Sequence, residues 1–331
     1  MIAMADDLAP GSVILGYVIE RVLGRGGMGT VYLAKQLSLG RLVALKVLHP
    51  SRVKNPKAAT EFFQEASATA KLSHPNLVGV HDLKADTASG LFAFSMEYVP
   101  GLTTYQLVSQ QGSLSRGPAL NLIAQVASAL AYAHRQGFVH RDIKPENILV
   151  ANGQTAKLLD LGLAYNRLGA LSNGTADRQQ SSGRRLMIVG TPDYSAPEQS
   201  RNPDHATTAS DVWGLGATLY FLLTGSTPFD GETVIDLIVR SATEPLTWPE
   251  HVAPDCRQLV ELMMVKDPEQ RLGDGDEVLV ALQQMARGER PTLPTRADGS
   301  GGFAVQYQID DGGTAEQPAR RRMVRRRRMR S

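Results

Sequence analysis

The sequence has a single cysteine, Cys256, among 331 residues. One cysteine excludes any internal disulfide framework and suits a reducing compartment. Long apolar runs are also missing. The most apolar stretch, residues 214–223, is interrupted by glycines and is much shorter than the roughly 20 residues of a membrane-spanning helix. Residues 1–12 contain two aspartates and no apolar run, so we expect no signal peptide. These absences predict a cytoplasmic protein without a transmembrane segment.

The net charge of +2 conceals an asymmetry along the chain. Residues 287–331 contain 11 arginines, no lysine and five acidic residues, whereas residues 1–286 have a net charge of −4. Gly, Pro, Thr and Asp are frequent in residues 288–319, which predicts a linker or a disordered tail. The arginine run from Arg320 to Arg330 could contact a polyanion such as nucleic acid or an anionic membrane, or it could be a solvated tail.

The pattern of elements changes from strands to helices along the chain. Branched and aromatic residues around glycines predict two strands within residues 17–32, and further strands are predicted at residues 42–48, 77–81 and 91–97. A helix is predicted at residues 57–72, and Pro100-Gly101 reads as a hinge. Apolar periodicity after this hinge predicts helices at residues 119–135, 234–242, 257–264 and 276–285, with a buried central helix within residues 207–225.

Residues 140–147, His-Arg-Asp-Ile-Lys-Pro-Glu-Asn, bring together a candidate general base, a cation and a candidate metal-ligand amide. Asp142 can accept a proton from an attacking hydroxyl, and Lys144 can hold charge on a phosphate. Asn147 can offer a carbonyl oxygen to a hard cation such as Mg2+. Asp160-Leu161-Gly162 follows 13 residues after Asn147 and supplies a second candidate metal ligand.

A glycine-rich loop lies upstream, at residues 23–31. Gly24, Gly26 and Gly29 would let backbone N–H groups approach phosphate oxygens. Dinucleotide-binding folds also carry this spacing, but there a helix follows the last glycine. Here strand-forming residues follow, and Lys46 stands in an apolar strand downstream, so a hairpin that covers phosphates fits better.

Together these motifs resemble the eukaryotic-like serine/threonine protein kinase family, and the glycine loop and Ala196-Pro197-Glu198-Gln199 are similar to its bacterial branch. The resemblance implies an α+β, bilobal protein-kinase fold, with a small β-rich N-lobe at residues 17–99 and a larger α-helical C-lobe at residues 100–286. Residues 1–16 would be an N-terminal extension and residues 287–331 a tail.

The resemblance also implies roles for individual residues. Asp142 would be the catalytic base, Lys144 the cation beside the γ-phosphate, and Thr191 a brace for both. Lys46 would hold the α- and β-phosphates, oriented by Glu65. The implied cofactors are ATP and Mg2+, with Mn2+ possible, and the implied metal ligands are Asn147 and Asp160. The nucleotide-binding set would be Leu23, Gly24, Gly26, Gly29, Val31, Ala44, Lys46, Met96, Glu97, Val99 and Leu149.

Other positions are expected to be structural or regulatory. Where an acid would be expected at the ribose, Thr103 lies nearby. His140 would pack under the site, Asp211 would tie the loop backbone, and Glu198 would pair with Arg271. Arg141 would either bind a phosphorylated activation segment or serve only the loop structure. The acceptors in that segment would be Ser172, Thr175, Ser181 and Ser182.

Three functions follow as hypotheses. The first is an active kinase that phosphorylates Ser and Thr hydroxyls of proteins, with autophosphorylation of its activation loop in bacterial-type signal transduction. The second is a pseudokinase scaffold, but Lys46, Glu65, Asp142, Asn147 and Asp160 are all present, which argues against it. The third is a polyanion-binding tail that the kinase domain regulates. Leu161 departs from the usual phenylalanine of its motif and leaves the ease of switching open.

Overall fold

The computed structural model describes residues 8–26, 29–49, 60, 62–63, 66–67, 69–159 and 192–293, which belong to one compact unit, Met1–Pro294. The other unit, Thr295–Ser331, lies outside the described residues. So do Glu65, Thr191 and the segment from Asp160 to residue 190. What the sequence predicts for these residues stays a prediction.

Six strands form the sheet of the smaller lobe, and every neighbouring pair is antiparallel. Their order in the sheet is β1-β2-β3-β4-β6-β5. The strands are β1 (Val13–Ile14), β2 (Tyr17–Arg25), β3 (Gly29–Gln36), β4 (Arg41–Leu48), β5 (Val80–Asp86) and β6 (Leu91–Glu97). The two strands predicted around the glycine loop and those predicted at residues 42–48 and 91–97 are confirmed.

Strand β4 shows how this sheet is covered on both faces. Its last six residues are all buried, and alternate side chains point to opposite faces. Val43, Leu45 and Val47 join one apolar cluster, and Ala44 and Leu48 join another on the opposite face. By the same alternation, Lys46 lies on the face of Ala44 and Leu48.

Two parts of the smaller lobe differ from the sequence-based expectation. Residues assigned to an N-terminal extension contribute to the sheet, because β1 pairs with β2 and Leu8 packs on the cluster around Ile14. The strand expected at residues 77–81 instead spans Val80–Asp86. The residues at its expected start pair with another segment instead, since Val78 donates its N–H to the carbonyl of Leu158 at 3.0 Å.

A second sheet of three short strands follows the predicted hinge, and the sequence did not predict it. Its strands are β7 (Gly101–Thr103), β8 (Ile148–Ala151) and β9 (Thr155–Leu158). Gly101 itself lies in β7, where a Cβ would collide with the carbonyl of Val150. A helix that was also not predicted, α1 (Thr104–Gln111), begins directly after β7.

The larger lobe is helical and is built around one buried helix. The helices are α2 (Arg116–Arg135), α3 (Pro197–Arg201), α4 (Thr208–Thr224), α5 (Val234–Thr243), α6 (Pro254–Met263) and α7 (Gly275–Ala286). Every residue of α4 from Ala209 to Leu223 is buried, which confirms the predicted central helix. Helix α6 begins earlier than predicted because a proline is favourable at the first helical position.

These two lobes confirm the α+β, bilobal fold that the resemblance implied. The structure also brings the described residues between 60 and 69 into helical conformation, within the helix predicted at residues 57–72. Among the described helices, none is both long and apolar enough to span a membrane. Cys256 is buried, and burial raises the pKa of its thiol to about 11, so the thiol stays protonated and unreactive at neutral pH.

Close packing of α7 on α2 generates a prediction about Gly275. A Cβ at this position would lie 2.3 Å from the backbone N of Ala131 and 2.5 Å from the carbonyl oxygen of Ala127. We expect Gly275→Ala to lower the free energy of unfolding by about 1–3 kcal/mol, because backbone atoms cannot move aside like a side chain. Urea denaturation measures the change.

Gly117→Ala is the matched control, because nothing lies within 4 Å of a Cβ at that position in α2. We expect this variant to be as stable as the wild type or slightly more stable. Equal stability of the Gly275 variant and the control would contradict the packing argument.

Candidate active site

The glycine loop forms a hairpin between β2 and β3. Leu23 and Gly24 lie at the end of β2, and the N–H of Gly26 donates to the carbonyl of Gly29 at 2.9 Å. Gly29 packs against the backbone of β4, where a Cβ would collide with the carbonyl of Val47. A strand follows Gly29, so the dinucleotide-binding alternative, which requires a helix there, is wrong.

Five apolar residues predicted to surround a nucleotide base belong to one cluster. They are Val31, Ala44, Met96, Val99 and Leu149. The first three come from strands of the six-stranded sheet, whereas Leu149 comes from β8 of the second sheet. This apolar cluster is therefore built from both sheets.

Glu97 is the last residue of β6 and links the two sheets. Its N–H donates to the carbonyl of Gly79 at 2.8 Å, and its carboxylate accepts from Lys157 Nζ at 2.8 Å. Lys157 is the cross-strand partner of Leu149, so it projects from the same face of the second sheet. Val99 lies two residues beyond the strand, past the last paired position.

Lys46 lies in the sheet with only 8% of its surface exposed. Its Nζ is 5.5 Å from the centre of the Phe94 ring. Phe62 and Ala66 pack in the cluster that contains Phe94. They flank Glu65 in sequence, so the part of the helix that is described packs on the face of Lys46. Glu65 itself lies outside the described residues.

Residues 140–147, which we term the polar loop, hold the Asp142 carboxylate between two donors. Lys144 Nζ lies 2.9 Å from Oδ1 and 2.8 Å from Oδ2. The amide nitrogen of Asn147 donates to Oδ2 at 2.9 Å and to the backbone carbonyl of Asp142 at 2.8 Å. These donors orient the carboxylate and balance its negative charge. Because 24% of the Asp142 side chain is exposed, the carboxylate is still open to a reactant. Since the Asn147 amide nitrogen faces Asp142, its Oδ1 points away and is suited to a hard cation.

The polar loop also fixes the residue that precedes Asp160. The N–H of Leu159 donates to the backbone carbonyl of Asn147 at 2.8 Å, and the Leu159 carbonyl accepts from His140 Nε2 at 2.8 Å. His140 is fully buried, and its predicted structural role is confirmed. Asp160 lies outside the described residues, and within them no cluster of three His, Cys, Asp or Glu side chains could hold a metal ion.

Asp211 of α4 anchors the backbone of the polar loop, as predicted. Its carboxylate accepts from the N–H groups of His140 and Arg141, each at 2.7 Å. His134 Nε2 is 2.9 Å from the same carboxylate, and His134 Nδ1 accepts from the N–H of Gly275 at 3.3 Å. This pattern assigns the proton to Nε2, so a neutral His134 ring joins α7 to Asp211.

The predicted pair of Glu198 and Arg271 is confirmed as a two-pronged ion pair. Arg271 Nη1 lies 2.7 Å from Oε1 of Glu198, and Nη2 lies 3.1 Å from Oε2. Arg271 is fully buried and also donates to the carbonyls of Ala209 and Val265, both at 2.8 Å. Burial alone would raise the pKa of Glu198, but the hydrogen bonds and the positive charge of Arg271, together with the hydrogen bond from Ser210, outweigh burial and hold this pKa below its ordinary value.

Two further titratable groups of the larger lobe have pKa values that burial shifts. Burial raises the pKa of Tyr194 far above its ordinary value, so its hydroxyl stays neutral. Burial lowers the pKa of Lys266 to about 8. Lys266 Nζ nevertheless donates to the carbonyl of Ser241 at 2.7 Å and lies 4.2 Å from the ring centre of Phe229. Both groups support the helices that flank the site.

Three contacts around the site involve residues that sequence reasoning missed: His134, Lys157 and Gln199. Gln199 donates from Nε2 to the carbonyl of Arg141 at 2.6 Å. None of the three belongs to a local pattern that would indicate its partner. Thr103, expected near a ribose, accepts from the N–H of Gln106 at 3.1 Å and caps α1.

Comparison with known proteins gives a consistent result. The family described as "Protein kinase domain" matches residues 17–285. The serine/threonine-protein kinase PknB of Mycobacterium tuberculosis is 34% identical over 284 residues, which are 84% of this chain and 44% of that protein. The serine/threonine-protein kinase pkn3 of Myxococcus xanthus is 33% identical over 297 residues, 86% of this chain and 52% of that protein.

A third relative, the serine/threonine-protein kinase PrkC of Bacillus subtilis, is 36% identical over 250 residues, 76% of this chain and 37% of that protein. The chain thus spans about half the length of the curated relatives that it matches, or less.

The buried ion pair generates a prediction. We expect Arg271→Ala to lower the free energy of unfolding by about 3–5 kcal/mol, because Glu198 would remain a buried charge without its partner. Arg271→Lys should not restore stability, since an ammonium cannot reproduce the planar fork. Urea denaturation at neutral pH measures both changes.

Arg240→Ala is the control, because Arg240 pairs with Asp230 and Asp236 at the protein surface. We expect this variant to unfold at the wild-type urea concentration. If the Arg271→Ala variant were as stable as the Arg240→Ala variant, the buried ion pair would contribute nothing to the free energy of unfolding.

Proposed function

Because the chain belongs to the protein kinase family, we propose that it transfers the γ-phosphoryl group of ATP to serine and threonine hydroxyls of proteins. The Asp142 carboxylate carries the proposal: it lies 2.9 Å from Lys144 Nζ, in a loop whose backbone Asp211 anchors. A carboxylate held in this way can accept a proton from a hydroxyl while the neighbouring ammonium balances charge on the phosphoryl group.

Each polar residue then has one task in the transfer. Asp142 is the catalytic base, and Lys144 neutralises charge beside it. Lys46, oriented by Glu65, holds the α- and β-phosphates, and Thr191 braces Asp142 and Lys144 where the substrate hydroxyl docks. Catalysis of this kind is positioning together with charge neutralisation.

The nucleotide would lie between the two sheets. Its base would contact the cluster of Val31, Ala44, Met96, Val99 and Leu149, beneath the glycine loop with Leu23, Gly24, Gly26 and Gly29. The N–H of Glu97 already donates to the carbonyl of Gly79, so Glu97 would contribute its carbonyl oxygen as an acceptor for the base. Val99 lies two residues beyond the end of β6, and its backbone would contribute to the base as well.

A divalent cation would be held by Asn147 and Asp160. The donor set is all oxygen, and the amide orientation of Asn147 suits Mg2+, with Mn2+ as a possible substitute. When bound, the ion neutralises charge on the phosphates. The hydrogen bonds from the Asn147 amide nitrogen to Asp142 would orient the Asn147 carbonyl oxygen toward the ion.

The alternatives from the sequence have less support. A pseudokinase scaffold would not need the arrangement of Asp142, Lys144 and Asn147. Polyanion contact through Arg320 to Arg330 remains a prediction, as does a cytoplasmic location. Deleting residues 287–331 and measuring kinase activity and binding of a DNA duplex separately tests the tail; unchanged DNA binding would contradict a polyanion role.

The proposed chemistry predicts the behaviour of two substitutions. We expect Asp160→Asn and Lys46→Met each to reduce autophosphorylation by about a thousandfold or more, because each removes charge that holds the phosphates. Incubation with labelled ATP and Mg2+ measures the rate, and mass spectrometry of the products should find phosphoserine and phosphothreonine.

Asp204→Asn is the control, since Asp204 is exposed and lies in the short helix Pro203–His205, outside the proposed catalytic and nucleotide-binding residues. It should phosphorylate at the wild-type rate. Near-wild-type turnover of Asp160→Asn would refute the kinase assignment, and mainly phosphotyrosine products would refute the serine/threonine specificity.

Regulation by the activation segment is a separate prediction. A phosphate adds a charge of about −1.5 to −2 and would pair with Arg141. We expect preincubation with ATP to raise activity and phosphatase treatment to lower it, and Thr175 and Ser182 are the favoured sites. A variant with Ser172, Thr175, Ser181 and Ser182 all changed to Ala should therefore phosphorylate an exogenous substrate more slowly. If its rate equals that of the wild type, Arg141 serves only the loop structure.

A further inference from the structure

Arg141 has a backbone conformation that side chains other than glycine rarely adopt. Its φ is 71°, and in the described part of the chain only Leu15 and Asn152 among non-glycine residues also have positive φ. Those two lie in turns between adjacent antiparallel strands, where this conformation is common. Arg141 lies in no such turn, so tertiary contacts must hold this strained conformation.

The peptide groups on both sides of Arg141 are held by side chains from distant segments. Its N–H donates to Oδ1 of Asp211 at 2.7 Å, and its carbonyl accepts from Nε2 of Gln199 at 2.6 Å. The carbonyl belongs to the peptide bond that leads into Asp142. Gln199 therefore fixes the plane of the peptide that carries the proposed base.

Gln199 is itself firmly placed. It follows Glu198, which is joined to the buried Arg271 by two hydrogen bonds, and it lies within the short helix α3. The side-chain amide thus reaches the polar loop from a backbone that the ion pair holds in place. Residues 192–199 end the segment that contains the proposed phosphorylation sites.

We propose that Gln199 is a positioning residue for phosphoryl transfer: its amide N–H holds the strained Arg141–Asp142 peptide and so couples the end of the activation segment to the base. This inference rests on the proposed function, in which Asp142 accepts the proton of the substrate hydroxyl. Gln199 contacts Asp142 only through the peptide and does not touch the reactants.

The chemistry of the contact makes the inference testable. A carbonyl oxygen accepts hydrogen bonds but cannot donate, so residue 199 must supply a donor. Methionine has nearly the same shape without a donor. Glutamate has the shape, but it can donate to the carbonyl only when protonated. Alanine is less suitable, because a cavity of about 10 Å³ already lies between Arg141, Asp142, Ser195 and Gln199 and a larger one would admit a bridging water.

The experiment compares Gln199→Met and Gln199→Glu with Gln258→Met. Gln258 also donates from its side chain to a backbone carbonyl, that of Pro291 at 3.1 Å, but on α6. The steady-state kcat and the KM for ATP are measured with a serine-containing peptide between pH 5.5 and 8.5. We expect Gln199→Met to lower kcat about tenfold, the value of one lost hydrogen bond, with the KM for ATP within twofold of wild type. Gln258→Met should leave both unchanged.

The pH dependence of Gln199→Glu separates positioning from a general loss of structure. Its kcat, divided by that of the wild type at the same pH, should rise as pH falls, because the protonated carboxyl regains a donor. The same ratio for Gln199→Met should stay flat. If Gln199→Met destabilises the fold, the pH-dependent ratio for Gln199→Glu still shows whether a donor at position 199 controls kcat.

Three outcomes would overturn the inference: a kcat for Gln199→Met within twofold of wild type, a flat ratio for Gln199→Glu, or a loss that appears mainly in the KM for ATP. Failure of the proposed function looks different. In that case the wild type would show no phosphoryl transfer, or Asp142→Asn would be as active as the wild type, and the inference would fall with it.

Discussion

The buried carboxylate of Asp211 is the interaction on which the geometry of the site depends. It is 1% exposed, and an ionised group in such a place needs hydrogen-bond donors. The backbone N–H groups of His140 and Arg141 and the ring of His134 supply them. Asp211 also lies in the first turn of α4, where the helix dipole favours an anion. The polar loop must therefore take the conformation that brings two successive N–H groups to one carboxylate, and the positive φ of Arg141 follows from that demand.

Helix α4 positions the segments on both sides of the site. Gly214, one turn beyond Asp211, leaves room for Ile143, whose carbonyl oxygen would lie 2.8 Å from a Cβ at that position. On the other side of Asp211, the carbonyl of Ala209 accepts from Arg271, which holds the segment leading to Gln199. A helix buried along its length cannot shift without losing close packing. The base and the end of the activation segment are thus fixed to one rigid element.

The sequence was most informative where the signal is local. A nearly continuous apolar run sufficed for α4 and for β4, because each is almost wholly buried. Spacing sufficed to bring Asp142 and Asn147 together, since they are five residues apart. The start of β5 and the second sheet were missed because short strands depend on distant partners. The contacts of Lys157 and Gln199 span 60 and 58 residues, and no local pattern encodes such a pairing.

The link between the two lobes adds a further constraint. The carbonyl of Asn76 accepts from the N–H of Leu158 at 2.8 Å, and its side-chain amide donates to Gln125 at 3.0 Å. Leu158 directly precedes Leu159, which the polar loop holds through His140. Backbone hydrogen bonds therefore connect the entry to β5 with the loop that carries the proposed base. A nucleotide bound between the sheets would be placed relative to that base by this frame, so the geometry of transfer depends on backbone contacts rather than on the length of flexible side chains.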